Sequence, residues 1–191
     1  MAFKLVMLPP QNAIYRGRAA RLAAELPQVQ VVVAEDHQQA ASALTDADGA
    51  FGPLPADLLA VATRLRWLQA NQAAPPAGFY YPAMAAHPLV ATNFREIFND
   101  HIGAHIMAFV LNFARGFQYY IPQQTRRQWA KPPEDEGVVA LPGATLRVVG
   151  LGGIGAEAAR LAAAFGMVVL ATDIRRTAPT EGVAELHHPD A

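Results

Sequence analysis

The sequence predicts an α/β fold built on parallel sheets. Short apolar segments alternate with helical segments from the first residues onward, which is the order that parallel sheets require. Residues 29–34 (VQVVVA) are rich in β-branched side chains, as strands are. Further along, at residues 150–155, a glycine-rich turn joins an apolar strand to an alanine-rich helix. We therefore expect a parallel sheet followed by a second, shorter β-α-β unit.

The first half of the chain supplies five predicted strands with helices between them. The strands are predicted at residues 3–7, 29–34, 48–51, 66–70 and 89–92, and the helices at residues 14–26, 35–44 and 56–63. Pro75, Pro76 and Gly78 exclude regular structure from the segment 70–82, which follows the fourth strand. Loops at the carboxyl ends of parallel strands are where such sheets bind ligands.

Composition excludes several classes of function. The chain has 191 residues, a formal net charge of -1 and no cysteine, so it has no basic excess for nucleic acid and no thiol chemistry. It holds no uninterrupted apolar run of about 18 residues, and its first seven residues are too short for a signal peptide. We expect a cytoplasmic protein without nucleic-acid or membrane partners. Charged residues are 16% of the chain, which predicts that a partner subunit or a missing segment covers some apolar surface.

A long helix is predicted to begin near residue 99, with Asn99 as its cap. Apolar side chains recur at spacings of three and four, which predicts one continuous apolar face: Ile102, Ile106, Phe109, Val110, Phe113, Phe117 and Tyr120. Pro122 is expected to end or kink this helix. Residues 131–137 (KPPEDEG) are typical of a linker.

The most informative motif is the G-x-G-x-x-G of residues 150–155, which lies between a predicted strand and a predicted helix. Gly150 permits the tight turn out of the strand, Gly152 lets a pyrophosphate approach the backbone, and Gly155 lets the helix pack close to the strand. The amides of Gly153 and Ile154 then face the phosphates, with the positive end of the helix dipole behind them.

The strand predicted at residues 167–172 ends at Asp173, which lies 18 residues past Gly155. Its carboxylate can accept hydrogen bonds from the adenosine ribose and disfavours a 2′-phosphate, so the pattern predicts NAD. Arg175 and Arg176 leave NADP possible, because either could bind that phosphate or lie against the adenine. Two readings other than a dinucleotide site also stay open: an S-adenosylmethionine site and a nucleotide-free glycine turn.

With these motifs the chain resembles the D-isomer-specific 2-hydroxyacid dehydrogenases, which include glyoxylate and hydroxypyruvate reductases. The resemblance rests on four segments: RLRWLQA (64–70), LVATN (89–93), NDHIGAHIMAFVLNFARG (99–116) and LPGATLRVVGLGGIG (141–155). It implies a flavodoxin-like substrate-binding domain over residues 1–98 and the start of an NAD(P)-binding Rossmann domain over residues 99–191. It also implies a homodimer formed through the long helix.

The resemblance further implies that backbone amides in the loop after the fourth strand hold the substrate carboxylate, and here Ala73 and Ala74 match that position. Pro75 departs from the family's pattern because proline has no N–H to donate. The family's catalytic arginine, acid and histidine lie well downstream of Asp173, and no residue of this chain matches them. We expect the coenzyme domain to be incomplete, with only two clear strands after Thr145 and one side of the strand at 167–172 unpaired.

The function predicted from the sequence is hydride transfer between NAD(P) and a small 2-hydroxy or 2-keto acid. The alternative is a non-catalytic nucleotide-binding or interaction module, with a methyltransferase as a third possibility. No metal site is predicted, since His101 and His105 share a helix face with no third ligand apart from Asp100. Tyr80 or Tyr81 could line a pocket, and His187 and His188 are predicted to lie in a solvated turn.

Overall fold

A computed structural model describes residues 2–130 and 138–190, so the predicted linker at residues 131–137 lies outside the described part. The chain folds as two compact units, Met1–Arg95 and Glu96–Ala191. This division lies close to the predicted boundary after residue 98, and the separate roles assigned to the two units stay predictions.

The first unit is a five-stranded, fully parallel sheet flanked by helices. The strands are β1 (Phe3–Met7), β2 (Val29–Val33), β3 (Gly49–Phe51), β4 (Trp67–Gln69) and β5 (Val90–Thr92). The helices are α1 (Ala13–Glu25), α2 (His37–Leu44), α3 (Ala56–Val61) and α4 (Pro82–Ala86). The order β2-β1-β3-β4-β5 is that of a flavodoxin-like sheet, which confirms the predicted fold class.

The sheet is buried between two layers of helices, and its strands are accordingly apolar. Val6 and Leu68 are fully buried against α2 and α3 on one face, while Leu5 and Met7 pack with Ala19 of α1 on the other. Because successive strand residues point to opposite faces, β1 must be apolar at every position that lies under a helix. All five predicted strands are present, and each end agrees with the prediction to within one residue.

The short helix α4 was not predicted from the sequence. It begins at Pro82, the last residue of the segment 70–82 in which irregular structure was expected. Pro82 occupies its first position, where a missing N–H costs nothing, and Met84 anchors the helix in the core. The irregular loop therefore ends at Tyr81, and Pro82 begins a helix.

The second unit contains α5 (Asn99–Ala114), α6 (Phe117–Thr125), β6 (Thr145–Val149), α7 (Gly153–Ala164), β7 (Val168–Thr172) and β8 (Glu185–His187). Its three strands are parallel in the order β6-β7-β8. The expectation of only two strands, with one side of β7 unpaired, was wrong. Residues 185–187 form a third strand on that side, where Leu186 packs against the core of this unit. His187 accordingly lies in a strand, and the predicted turn was wrong there.

The long helix is broken where one continuous helix was predicted. Gly116 adopts φ +66°, a left-handed conformation that ends α5 and allows α6 to begin. Pro122 lies inside α6, and Asn99 is the first residue of α5 with Phe98 in the capping position.

Only part of the predicted apolar face of α5 is packed, with Val110 against the core of the second unit. Phe109, Phe113 and Phe117 are 55%, 60% and 48% exposed, whereas the buried residues of α5 are Gly103, Met107 and Ala114. Small residues allow α5 to approach α7 closely: a Cβ on Gly103 would lie 2.6 Å from the Glu157 Cγ atom. Helix-to-helix contact distance therefore decided which side of α5 is buried.

In the part of the chain that the structure describes, no helix is both long and apolar enough to cross a membrane.

Candidate functional site

The glycine-rich turn connects β6 to α7. Gly150 has φ +89°, a backbone conformation that side chains with a Cβ rarely adopt, and its N–H donates to the Thr172 carbonyl of β7 at 2.8 Å. The chain therefore leaves β6 and reverses into α7 within three residues. Leu151 is fully buried and anchors the turn in the core of the second unit.

Gly155 brings the first turn of α7 against the backbone of β6. A Cβ on residue 155 would overlap the Gly150 carbonyl oxygen and would contact the Val148 side chain at 3.1 Å. Any side chain here would push the helix away from the strand. The start of α7 is thus held directly beside the end of β6.

Gly152 shows the opposite environment. It occupies the capping position of α7 without any side-chain hydrogen bond, and a Cβ placed on it would meet no atom within 4 Å. Helix geometry gives the first-turn amides of Gly153 and Ile154 no acceptor within the helix. Open space beside free N–H groups at a helix N-terminus fits a pyrophosphate. These residues therefore fit NAD(P), with the turn holding the two phosphates.

Asp173 follows β7 and faces the turn. Its carboxylate accepts three backbone hydrogen bonds, from the N–H groups of Leu151 at 2.7 Å, Arg175 at 2.7 Å and Arg176 at 2.9 Å. The amides of Arg175, Arg176 and Leu151 lower the pKa of Asp173 from its ordinary value of 3.8. At neutral pH the carboxylate is therefore ionised, and it ties the end of β7 to the glycine turn as well as offering an acceptor to a ribose.

The two arginines after Asp173 differ in their contacts. Arg176 reaches back across the turn, where its Nε donates to the Leu151 carbonyl oxygen at 2.5 Å. Arg175 is exposed and lies next to the carboxylate that its own amide binds.

Two residues at this site were not expected from the sequence. The Leu151 N–H donates a hydrogen bond to the Asp173 carboxylate and so connects the turn to the end of β7. Its position in the motif carries no residue preference. Asn99 places its side-chain amide against Gly153, so a Cβ on Gly153 would overlap it. A contact between positions so far apart in the sequence leaves no local signal.

The loop predicted to hold a substrate carboxylate lies in the first unit, after β4. Ala73 is half-buried and Ala74 is exposed, and Pro75 follows without an N–H to offer. The Gln72 carbonyl accepts the Phe94 N–H at 3.4 Å, and the Ala70 N–H donates to Thr92 at 2.8 Å. The loop is thereby attached at its base to the residues around β5.

Tyr81 lines a cavity of about 490 Å³ in the first unit together with Leu54, Leu58 and Phe79. Its hydroxyl donates to the Leu54 carbonyl oxygen at 2.9 Å, and burial raises its pKa above the ordinary value. Tyr80 is 50% exposed, with its ring edge-on to Phe79.

The side chains of His105 and His187 contact neighbours on their own helix and strand. The His105 ring lies edge-on to the Phe109 ring, with the two ring centroids 4.9 Å apart. The His187 Nε2 atom lies 3.0 Å from the Glu185 Oε2 atom. Residues 2–130 and 138–190 contain no group of three or more His, Asp or Glu side chains that could hold a metal ion.

Comparison with known proteins agrees with this geometry. Residues 107–189 match the family model described as the D-isomer specific 2-hydroxyacid dehydrogenase, NAD binding domain. No curated protein matches the chain.

Several solved structures are similar over almost the whole chain. A D-isomer specific 2-hydroxyacid dehydrogenase family protein from Aeromonas salmonicida is 28% identical with a TM-score of 0.76; the match covers 100% of this chain and 59% of that one. D-lactate dehydrogenase with NAD+ from Lactobacillus jensenii is 15% identical with a TM-score of 0.77, over 98% and 58% of the two chains. A D-lactate dehydrogenase from Treponema pallidum is 17% identical with a TM-score of 0.69, over 97% and 62%. The chain thus spans about three fifths of the length of these structures.

The family's NAD-binding domain confirms NAD(P) as the predicted cofactor, and the geometry of the glycine turn agrees with it. The predicted resemblance is likewise confirmed: the chain has the fold of D-isomer specific 2-hydroxyacid dehydrogenases, and residues 107–189 match the NAD-binding domain of that family.

Proposed function

We propose that this chain is part of an NAD(P)-dependent oxidoreductase that transfers a hydride between the nicotinamide and C2 of a small 2-keto or 2-hydroxy acid. The observation that carries the proposal is the glycine turn, where a Cβ on Gly152 meets only open space while α7 begins beside it with free amides. Bound NAD(P) supplies the hydride chemistry, and the protein supplies binding and orientation.

The residues of the second unit have separate roles in holding the cofactor. Gly150 and Gly155 shape the turn, and Gly152, Gly153 and Ile154 contact the pyrophosphate through their backbone. Asp173 accepts a hydrogen bond from the adenosine ribose through the carboxylate capacity that its three backbone donors leave free. Arg175 lies where it can contact the adenosine end of the cofactor.

The residues of the first unit hold the acid substrate. Ala73 and Ala74 would offer their amides to its carboxylate, and Pro75 restricts the loop to a narrow range of conformations. The resemblance places the family's catalytic arginine, acid and histidine beyond the residues matched here. We therefore propose residues 1–98 as the substrate-binding domain and residues 99–191 as part of the coenzyme domain.

The first test is a fluorescence titration of the 191-residue chain with NADH and, separately, with NADPH and S-adenosylmethionine. We expect saturable binding of NADH and no binding of S-adenosylmethionine. Saturation by S-adenosylmethionine in place of NADH would replace the proposal with a methyltransferase. Turnover is then followed as loss of NADH absorbance with glyoxylate, pyruvate and hydroxypyruvate, both for this chain and for the chain extended by whatever its coding frame supplies after Ala191.

The second candidate function is a non-catalytic nucleotide-binding module. It is supported by the glycine turn, whose geometry accounts for nucleotide binding without any reaction. It predicts that NADH binds with the same affinity to the 191-residue chain and to any longer product, and that neither oxidises NADH with any 2-keto acid. Oxidation by the longer product alone would instead establish the dehydrogenase.

We further propose that the chain forms a homodimer through α5 and α6. The support is the exposed apolar surface of these helices, where Phe109, Phe113, Phe117 and Ile121 are each about half exposed. Light scattering at several concentrations should give twice the chain mass, and Phe113→Ser should shift the equilibrium toward the monomer. The matched control is Val90→Ser, a 62% exposed position on β5 outside these helices.

A further inference from the structure

The N-termini of α5 and α7 lie side by side in the second unit. The side chain of Asn99, the first residue of α5, lies against Gly153, the first residue of α7: a Cβ on Gly153 would lie 2.9 Å from its Cγ and Oδ1 atoms. About one turn further on, a Cβ on Gly103 would lie 2.6 Å from the Glu157 Cγ atom. Because both contacts advance together along the two helices, α5 and α7 run in the same direction.

This arrangement places two positive helix ends beside each other. Each helix N-terminus carries roughly half a positive charge, so the pair amounts to about one. Phe98 and Gly152 occupy the two capping positions, and neither makes a side-chain hydrogen bond to its helix. Parallel dipoles repel each other, and an anion bound in front of both ends offsets that repulsion.

The acidic side chains near these two ends leave the space before the glycine turn open. Asp100, in the first turn of α5, accepts the His101 N–H at 2.8 Å. Glu157 accepts two hydrogen bonds from the Arg160 guanidinium, at 2.7 and 2.9 Å, and this pairing lowers the pKa of Glu157. A Cβ on Gly152 would meet no atom within 4 Å, so neither carboxylate fills the place of a bound anion.

The Asn99 side chain has capacity for a ligand. An asparagine in the capping position accepts an amide of its own helix, but Asn99 lies one residue beyond that position. Its side chain is half-buried and forms no hydrogen bond with any residue of the ranges 2–130 and 138–190. A carboxamide offers two N–H donors, and polar groups withdrawn from water require partners. The donors of Asn99 therefore suit a hydrogen-bond acceptor at the start of α7.

Gly153 is the residue that leaves room for this side chain. The G-x-G-x-x-G pattern does not restrict position 153. Gly153 does not adopt a left-handed conformation either, so its own backbone does not require glycine. Any Cβ at this position would overlap the Asn99 carboxamide and displace it. The reason for glycine at residue 153 is thus the contact with Asn99.

We propose that Asn99 is a cofactor-binding residue, whose side-chain N–H donates a hydrogen bond to a pyrophosphate oxygen of NAD(P), and that Gly153 keeps it in place. The inference rests on the cofactor site of the function proposed above. It adds a side chain from α5 to a site otherwise formed by the glycine turn, α7 and Asp173.

The test is isothermal titration calorimetry of NADH and of ADP with the 191-residue chain and its variants. ADP carries the pyrophosphate but lacks the nicotinamide and its ribose. Asn99→Ala should weaken the binding of both ligands by at least about ten-fold, because hydrogen bonds to charged groups are the stronger ones. Asn112→Ala is the control, since it changes the same residue type on α5 about 20 Å further along the helix axis, and it should leave both affinities unchanged.

Asn99→Asp separates binding from folding. Aspartate has nearly the same shape and is favoured in the first turn of a helix, so the unfolding temperature should not fall. It replaces the N–H donors with a charge that repels phosphate, so the affinities for NADH and ADP should fall by about a hundred-fold. Asn112→Asp makes the same charge change on α5 and should have no such effect. Wild-type affinity in Asn99→Asp would show that Asn99 only packs the two helices, and would overturn the proposal.

A double-mutant cycle tests the role of Gly153. Gly153→Ala displaces the carboxamide and should weaken ADP binding by at least about five-fold in the wild-type background. In the Asn99→Ala background the new methyl group has room, so the same substitution should weaken binding by less than about two-fold. Equal effects in both backgrounds would show that Gly153 acts independently of Asn99, contrary to the proposal.

The two ligands and the wild-type titration separate this inference from the proposed function. If the wild-type chain and all Asn99 variants bind NADH and ADP equally, the role of Asn99 fails and the cofactor site stands. If Asn99→Ala weakens NADH binding alone, the side chain contacts the nicotinamide half and the pyrophosphate assignment fails. If the wild-type chain binds neither ligand, the cofactor half of the proposed function fails and this inference fails with it.

Discussion

The loops that follow β4 and β6 both leave the carboxyl end of a parallel strand, yet they offer opposite chemistry to a ligand. The glycine motif after β6, residues 150–155, has glycines at four of its six positions and includes the free amides at the start of α7. The loop after β4 continues into Pro75 and Pro76, which have no amides, and borders a cavity of apolar and aromatic side chains. The loop after β6 thus presents several backbone N–H groups in open space, whereas the loop after β4 has few and lies beside apolar side chains.

This difference follows from the groups that each loop would bind. A pyrophosphate is charged and is best held by several N–H groups and a helix dipole, which require the ligand to approach the backbone closely. The side chain of a keto acid is uncharged and is best held by removal of apolar surface from water. The same position in an α/β sheet can therefore serve either purpose, and the residue types in the loop decide which.

The largest effect is expected from Gly155→Ala. Its new Cβ overlaps the Gly150 carbonyl oxygen, so the start of α7 must move away from β6. We expect the free energy of unfolding to fall by about 1–3 kcal/mol and NADH affinity to fall by more than about a hundred-fold. Thermal unfolding and NADH titration measure the two effects.

A matched glycine provides the control for that substitution. Gly17 lies within α1, where an added Cβ meets no atom within 4 Å. Gly17→Ala should raise stability by about 0.5–1 kcal/mol and leave NADH affinity unchanged. If both alanine variants behave alike, the close approach at Gly155 has no role in the cofactor site.

Gly152→Ala should separate binding from folding. The added methyl group enters open space, so the unfolding temperature should not change. It would occupy the place of the pyrophosphate and weaken its charge-assisted hydrogen bonds, so we expect NADH affinity to fall by about ten- to a hundred-fold. Unchanged affinity would show that the phosphates do not approach residue 152.

Asp173→Asn should alter cofactor preference by a smaller amount. Loss of the negative charge beside Arg175 removes a repulsion of the 2′-phosphate, so the NADPH to NADH affinity ratio should rise by about five-fold. Competitive titrations of the two cofactors measure this ratio. An unchanged ratio would mean that the three backbone donors already neutralise Asp173 toward the cofactor.

The same variant tests the lowered pKa of Asp173. A carboxylate with a lowered folded-state pKa contributes stability above its ordinary value of 3.8, and this contribution is lost as the pH falls through the lowered value. Urea unfolding between neutral and strongly acidic pH should therefore show a steeper loss of stability for the wild-type chain than for Asp173→Asn as the pH falls from 3.8 to the lowered pKa.

The smallest effect is expected from Tyr81→Phe in the first unit. It removes only the hydroxyl that donates to the Leu54 carbonyl oxygen, so stability should fall by about 0.5–1.5 kcal/mol with NADH affinity unchanged. Tyr80→Phe is the control, because Tyr80 is 50% exposed and should tolerate the change. A change in NADH affinity for either variant would contradict the assignment of cofactor binding to the second unit.

The sequence predicted those features that depend on neighbouring residues. Alternation of apolar strands with helices predicted all five strands of the first sheet, and the spacing of glycines predicted the turn between β6 and α7. It missed β8, because three residues with a single apolar side chain carry no periodic pattern, and only pairing with β7 makes them a strand. It also missed α4, because Pro75, Pro76 and Gly78 just before this helix predicted a loop.

What the sequence by itself determined is the class of fold and the identity of the cofactor turn, since both follow from patterns that are local along the chain. Tertiary structure alone decided which face of α5 is buried, because Gly103 must fit against Glu157 far along the chain. It likewise decided that the Leu151 N–H donates a hydrogen bond to Asp173. It also decided that residues after β1, β3 and β4 line one cavity. Contacts between residues so far apart in the chain depend on how strands and helices are placed in space, and no local pattern encodes them.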